Sequence, residues 1–306
     1  MDVAVTGSHG LVGSALVPAL EHAGHRVVRI VRGTPSGRDE LSWDPRAGVV
    51  DAAGLDGVDA VVHLAGAGIG DKPWTPERKR LILESRTQGT ELLARTLAGL
   101  VHETAVLISA SGVDYYGPHG DEKLTEQSPR GTGFLAQVCA RWEEATKPAE
   151  EAGIRVVRMR TGPVLSASGG LLGRLLLPFR LGLGGRVGTG EQYFSWIALD
   201  DHVAAIRHHL AHGESAGVYN HTAPSPVTNR ELTQTLGRVL HRPTRIPTPL
   251  LPLKLRYGSE LVDELLLTGQ RVVPARLEAA GYRFAHPTLE EALRAALDRH
   301  GRRHQP

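Results

Sequence analysis

Thr6-Gly7-Ser8-His9-Gly10-Leu11-Val12-Gly13 sets Gly7, Gly10 and Gly13 at a spacing of three. The preceding residues, Val3-Ala4-Val5, read as a short buried strand, and residues 14–23 read as a helix that stops at Gly24. A glycine turn joining a strand to a helix bares the amides at the helix start and lets the backbone approach a phosphate closely. A second strand follows, His25-Arg26-Val27-Val28-Arg29-Ile30-Val31, so the order opens a βαβ unit. In that context the turn predicts a dinucleotide held by its pyrophosphate, with Gly7, Ser8, His9, Gly10, Leu11, Val12 and Gly13 as the contact loop.

The end of the second strand selects the dinucleotide. Arg32 stands nineteen residues after Gly13, and no acid lies in residues 27–38. An acidic residue there would take a ribose 2′-hydroxyl; an arginine accommodates a 2′-phosphate through its planar, permanently charged fork. The pattern therefore predicts NADP in preference to NAD.

Strand and helix signals alternate along the first half. Asp59-Ala60-Val61-Val62-His63-Leu64 is a buried strand, Thr75 caps a helix with Pro76 at its first position, and Ala105-Val106-Leu107-Ile108-Ser109 is the next strand. Residues 134–146 have helical spacing, and Arg155-Val156-Val157-Arg158-Met159 is another strand. Alternation of this kind predicts an α/β fold, a doubly wound parallel (Rossmann) sheet that binds ligands beyond the carboxyl ends of its strands. After about residue 164 the alternation is lost. Asp200 or Asp201 is expected to cap a helix, and Thr228-Asn229-Arg230-Glu231 and Thr288-Leu289-Glu290-Glu291 read as capping boxes. The expected organisation is a dinucleotide-binding domain over residues 1–165, with 198–225 returning to it. Residues 166–197 and 226–306 form a smaller α+β C-terminal lobe, ending in a polar basic tail at 301–306.

Bulk properties exclude other classes. The 306 residues carry a formal net charge of +2, with basic residues scattered rather than striped, so nothing points to nucleic acid or an anionic membrane. One cysteine, Cys139, rules out an internal disulfide framework and fits a reducing, cytoplasmic setting. No secretory leader is expected, since no charged-then-apolar stretch stands before the first strand, and no apolar run reaches membrane-spanning length. His208 and His212, one turn apart with His209 between, have the spacing of two metal ligands but no third donor nearby, so they are expected on a solvated helix face with no metal. The apolar run at residues 175–183 reads either as an interface or as the lobe's own core.

Further residues carry a family resemblance. His63-Leu64-Ala65-Gly66, Ser109-Ala110-Ser111 with Tyr116-Gly117, and Leu124-Thr125-Glu126-Gln127-Ser128-Pro129 resemble the extended short-chain dehydrogenase/reductases. Ser42-Trp43-Asp44, Glu84-Ser85-Arg86, Trp142-Glu143 and Gln192-Tyr193-Phe194-Ser195-Trp196-Ile197 are similar to one subgroup. So are Leu266-Leu267 with Gly269-Gln270, and Gly281-Tyr282-Arg283-Phe284. That subgroup is the epimerase-like NADP-binding proteins with a short C-terminal domain of unknown function, described as nucleotide-sugar epimerases or oxidoreductases. The resemblance implies that Trp43 sits near the adenine and that Leu64, Ala65 and Gly66 pass along the ribose. It implies that Arg86 reaches the phosphates or ribose, and that Ser109, Ala110 and Val164 flank the nicotinamide. A homodimer is common among such relatives, and the implied partner is a small-molecule substrate.

The family's proton-transfer pair, Tyr-x-x-x-Lys on the helix after Pro129, is missing: Leu135 and Cys139 stand in those places. Ser111, Tyr115 and Tyr116 are the remaining polar candidates for catalysis, the phenols needing a nearby positive charge to act near neutrality. Two functions follow: an NADP-dependent oxidoreductase or epimerase acting on a small carbonyl, hydroxyl or sugar-like compound, and a cofactor-sensing NADP(H)-binding protein without turnover.

Overall fold

The computed structural model describes residues 1–102 and 104–302. The chain begins β1 (Asp2–Thr6), α1 (Gly13–His22), β2 (Arg26–Arg32), β3 (Glu40–Asp44), β4 (Val49–Val50), α2 (Ala52–Leu55), β5 (Ala60–His63) and α3 (Pro76–Ala98). It continues through β6 (Val106–Gly112), a 3-10 turn at Val113–Tyr116, β7 (Lys123–Leu124), α4 (Phe134–Glu144), α5 (Lys147–Glu151) and β8 (Arg155–Thr161). Then come β9 (Val164–Leu165), α6 (Gly170–Arg180), β10 (Tyr193–Phe194), β11 (Ile197–Ala198), α7 (Leu199–Ala211), β12 (Gly217–His221), β13 (Val227–Thr228) and α8 (Asn229–Leu240). The rest is α9 (Leu250–Tyr257), α10 (Ser259–Val262), a π-helical turn at Asp263–Leu267, β14 (Arg271–Val272), α11 (Ala275–Ala279) and α12 (Leu289–Arg302). The last turn of α12 takes up the first residues of the expected tail; residues 303–306 lie outside the described residues.

Eight strands form one sheet in the order β12-β8-β6-β5-β1-β2-β3-β4, parallel except for the β3–β4 pair. Two-residue periodicity sends Val3 and Val5 to one face and Ala4 to the other. The first face packs Val62, Ile108, Val157 and Met159 against Leu16 and Leu20 of α1 and Ile206 and Leu210 of α7. The second packs Val28, Ile30, Val61, Leu107 and Val156 against Leu93 and Leu97 of α3 and Ala149 of α5. Helices thus cover both faces, as the alternating pattern predicts. Strand order reverses beside β1, and the crevice at that reversal is where such sheets bind ligands.

Residues 217–221 form the edge strand of this sheet, while a third core gathers Leu172, Leu176 and Phe179 with Trp196, Leu232, Leu236, Leu289 and Leu293. The apolar run divides between the two expected roles: Leu176 and Phe179 lie in that core, whereas Leu177, Leu181 and Leu183 are exposed. The Thr228 capping box forms in full. The expected Asp200 or Asp201 cap does not. α7 starts at Leu199 with Ala198 at its N-cap, so both acids lie within its first turn, and buried Asp201 instead accepts N–H bonds from Ala285 (2.7 Å) and His286 (3.0 Å). That carboxylate ties the segment before α12 onto the Rossmann helix.

Candidate active site

The glycine turn has the shape its spacing predicts. Gly7 has φ +65° and lies against the β5 turn, where a methyl group would stand 3.0 Å from the Leu64 carbonyl carbon. A methyl on Gly13 would stand 2.2 Å from the Gly7 oxygen and 2.7 Å from the Ser8 Cα. Only hydrogen fits there, so the loop folds tightly against the helix start. α1 has no side-chain cap and no acid in its first turn. The amides of Leu11, Val12 and Gly13 donate to no described residue. Uncapped helix-start amides fit a phosphate. Arg32, at the end of β2, is exposed, and its guanidinium makes no ion pair or hydrogen bond with any described residue.

Thr6 sets the neighbouring turn. Its hydroxyl accepts from the amides of Leu64 (3.0 Å) and Ala65 (3.2 Å) and lies 2.7 Å from His63 Nδ1. With both lone pairs engaged, the hydroxyl donates to Nδ1, and neutral His63 keeps its proton on Nε2. The Leu64 and Ala65 amides are therefore turned inward, toward Thr6. Arg86 comes from α3 and is 7 % exposed; its Nη1 donates to the carbonyls of Ala67 and Ile82. Its guanidinium stands 3.3 Å from a methyl position on Gly66 and 4.9 Å over the Trp142 ring. Trp43 departs from expectation. It is 5 % exposed, with its ring edge-on to His63 and against Gly89, so it has no open face for an adenine.

At the ends of β6, β8 and β12 the structure assembles a buried polar chain. Ser111 Oγ donates to Glu143 Oε1 (2.8 Å), and Arg160 grips the same carboxylate through Nε and Nη2, both at 2.8 Å. Arg160 Nη1 donates to the Tyr116 hydroxyl (3.0 Å), which donates in turn to Asn220 Oδ1 (2.7 Å). Burial opposes the Arg160 charge, but the Glu143 pairing more than offsets it and raises its pKa. Tyr116 is corrected here: it is fully buried, turned toward Asn220, and burial pushes its hydroxyl up to about 12, so it is a structural hydrogen-bond link and not the proton donor expected. The Tyr115 ring lies under Arg160, with Cζ 3.3 Å from its centroid, while its hydroxyl bonds to no described residue. Ser109 is buried and its hydroxyl turns to the Ala110 carbonyl. Val164 pairs with Ile197 beside that chain.

A second group meets at Gly112. A methyl there would stand 3.5 Å from Asp114 Oδ2 and 3.4 Å from Cys139 Sγ. Burial keeps the Cys139 thiol protonated. Asp114, in the 3-10 turn that follows β6, is half-buried. Burial, and then the charge of Glu264, push it up to about 6, with Arg86 opposing. Glu264, in the π-helical turn near the C-terminus, accepts the Phe134 and Leu135 amides at 3.1 and 3.2 Å and so caps α4.

The histidines of α7 are not on a solvated face. His209 is buried, with Nε2 3.0 Å from His221 Nε2, and His221 Nδ1 is 3.0 Å from His202 Nδ1. His208 and His212 stack half-buried at 3.8 Å. Among the described residues no three donors are grouped to hold a metal, and no helix is long and apolar enough to cross a membrane.

Thr6, Glu143, Asn220, Asp114 and Glu264 were not singled out as site residues by their sequence. The acid two positions before Tyr116-Gly117 was the one local signal available.

Comparison with known proteins agrees with this architecture. The NAD dependent epimerase/dehydratase family matches residues 3–221, and a domain of unknown function, DUF1731, matches residues 248–296. An epimerase family protein of Mycobacterium bovis is 46 % identical over 299 residues, 98 % of each chain. The crystal structure of human epimerase family protein SDR39U1 (isoform 2) with NADPH has a TM-score of 0.90 and 36 % identity, covering 97 % of this chain and 99 % of that one. A nucleoside-diphosphate sugar epimerase from Corynebacterium glutamicum has a TM-score of 0.80 and 37 % identity, over 97 % of this chain and 58 % of its own. With a dinucleotide cradle at β1, a serine strand at β6 and the appended C-terminal domain, the chain belongs to the NAD dependent epimerase/dehydratase family of extended short-chain dehydrogenase/reductases.

Proposed function

We propose that this chain is an NADPH-dependent oxidoreductase or epimerase acting on a small carbonyl, hydroxyl or sugar-like substrate. The observation that carries the reading is the uncapped, acid-free start of α1, cradled by glycines and followed one strand later by the unpaired Arg32. The human relative solved with NADPH supports the choice of dinucleotide. When bound, the cofactor supplies two-electron redox chemistry at the carboxyl edge of the sheet.

The protein's own groups divide the remaining work. The Leu11, Val12 and Gly13 amides hold the pyrophosphate, Arg32 holds the 2′-phosphate, and Arg86 adds positive charge beside Gly66. Ser111 has committed its proton to Glu143, so its free lone pairs accept a substrate hydroxyl and orient it. The bidentate Arg160–Glu143 pair keeps that serine fixed.

Thermal-shift and fluorescence titrations with NADPH, NADP and NAD test the cofactor; stabilisation by NAD equal to that by NADPH would refute the role of Arg32. A carbonyl and nucleotide-sugar panel, followed by NADPH absorbance and product chirality, tests turnover. The second reading, an NADP(H) sensor without turnover, is favoured by Leu135 and Cys139 standing where the family's Tyr and Lys belong. It requires tight binding with no reaction across the panel.

A further inference from the structure

We propose that Asp114 is the catalytic acid of this site, giving its proton to the substrate oxygen, and that Glu264 of the C-terminal domain is the positioning residue that keeps the proton there. The inference rests on the redox reading above and supplies the proton carrier that reading lacks. Reduction of a carbonyl needs a donor at its oxygen, and two of the hydroxyls near the sheet edge are committed, while the third belongs to a ring pinned by a cation. Tyr116 donates to Asn220 from a fully buried position, Ser111 donates to Glu143, and the Tyr115 ring is held under Arg160.

Asp114 differs from them in geometry. It stands three residues after Ser111, in the 3-10 turn at the carboxyl end of β6. Its carboxyl shares the Gly112 contact with Cys139, which by the family resemblance takes the place of the missing lysine. Its carboxyl forms no ion pair and bonds to no other described residue, accepting only from its own amide. A second feature points to a ligand at the same place. Arg86 is 7 % exposed yet spends only Nη1 on protein acceptors, leaving Nε and Nη2 unbonded among the described residues, and the Trp142 Nε1 beneath it is buried with no partner. A buried donor such as the Trp142 indole nitrogen, left without a partner, calls for an acceptor.

The charged groups that face Asp114 decide its proton. Arg86 from α3 favours the carboxylate; Glu264 from the C-terminal turn favours the acid; Cys139 from α4 is held as the neutral thiol. Burial and Glu264 outweigh Arg86, and the carboxyl titrates at about 6. A general acid acts best when its pKa lies near the working pH. Glu264 is itself held by the two amides of α4, so the C-terminal domain completes the site by placing a fixed negative charge beside the acid.

The step balances. The substrate carbonyl carbon gains a hydride from the reduced nicotinamide dinucleotide, the C=O π bond breaks onto oxygen, and that oxygen takes the Asp114 proton. The products are an alcohol, the oxidised dinucleotide and the Asp114 carboxylate, which recovers its proton from water in the crevice.

The test compares wild type, Asp114→Asn, Glu264→Gln and Tyr115→Phe. Infrared titration of the cofactor-free protein should show a carboxylic-acid band that titrates near pH 6, is absent in Asp114→Asn, and moves to lower pH in Glu264→Gln. With NADPH and the carbonyl panel, Asp114→Asn should bind cofactor as tightly as wild type but turn over about a hundredfold or more slowly. Glu264→Gln should shift the limb where the rate falls with rising pH toward lower pH. The same rate in Asp114→Asn as in an active wild type, or a loss confined to Tyr115→Phe, overturns the assignment while leaving the redox reading intact. No turnover by wild type overturns the redox reading and the transfer step with it. A wild-type protein with no Asp114 band near neutrality overturns the tuning by Glu264.

Discussion

Lowering the pH from 7 to 5.5 should remove about 4 kcal/mol of folding free energy, because four histidines are buried where they cannot hold a second proton. His63 and His202 are pushed down to about 4 and His209 to about 3, and His221 is held well below its ordinary value; burial is the main cause in each. Each folded pKa lies below the unfolded value of 6.5, so the unfolded chain takes up protons that the native state refuses. Stability is therefore full above about pH 6.5 and falls as the pH drops, levelling off only near the folded pKa values. Integrated over this interval, each histidine costs about 1.2 kcal/mol, roughly 5 kcal/mol for four. Asp114, raised to about 6, acts in the opposite sense and restores roughly 1 kcal/mol. A net loss of about 4 kcal/mol is a large part of the 5–15 kcal/mol typical of a folded domain. Urea unfolding followed by tryptophan fluorescence and far-ultraviolet circular dichroism at pH 7.5, 6.5 and 5.5 measures it. His202→Gln, which removes one of the titrating rings, should reduce the pH dependence by close to one proton. An unfolding free energy that is flat from pH 7.5 to 5.5 would refute the reasoning, since it would mean that the His202–His221–His209 chain accommodates charge in the native state.

Three further outcomes test the site. Arg32→Ser should weaken NADPH binding by about 2 kcal/mol, roughly thirtyfold, and leave NADH binding nearly unchanged; equal losses for both in a fluorescence titration would place 2′-phosphate recognition elsewhere. Gly13→Ala inserts a methyl 2.2 Å from the Gly7 oxygen, so the loop must shift. The expected result is about 1–3 kcal/mol of lost stability together with loss of the NADPH-induced thermal shift. Tyr116→Phe leaves Arg160 Nη1 and Asn220 Oδ1 without their shared hydroxyl and should cost about 1–3 kcal/mol of stability in urea unfolding. Turnover at pH 7 should change little, because that phenol is fully buried and donates to Asn220.

What the sequence revealed follows from how local each cause is. Gly7, Gly10 and Gly13 are legible because backbone that passes within van der Waals contact of backbone excludes every side chain, and that exclusion is written in three letters. The sheet was legible because apolar runs separated by capped helices have few ways to pack. Arg32 could be placed because it ends a strand whose start and length are set by the first turn. The α7 histidines were misplaced because the spacing of His208 and His212 describes one helix alone, whereas burial of His209 depends on His221, twelve residues further on in β12. Trp43 was misplaced for the same reason: the partners that close its ring faces, His63 and Gly89, come from two other elements.

Asp114 marks the boundary of this kind of reading. In the segment Gly112-Val113-Asp114-Tyr115-Tyr116 the phenols are the conspicuous proton donors, and an isolated aspartate would be a carboxylate at neutral pH. Three features reverse that ranking, and each comes from a distant part of the chain. The 3-10 turn directs Tyr116 toward Asn220 on β12, Arg160 on β8 lies across the Tyr115 ring, and Glu264 arrives in a π-helical turn with no regular apolar period to announce it. The chemical identity of a proton carrier is a property of its surroundings more than of its residue type. In this family member those surroundings are completed by the C-terminal domain, and Glu264→Gln, which removes the charge but keeps one acceptor oxygen for the start of α4, weighs its electrostatic contribution against its structural one.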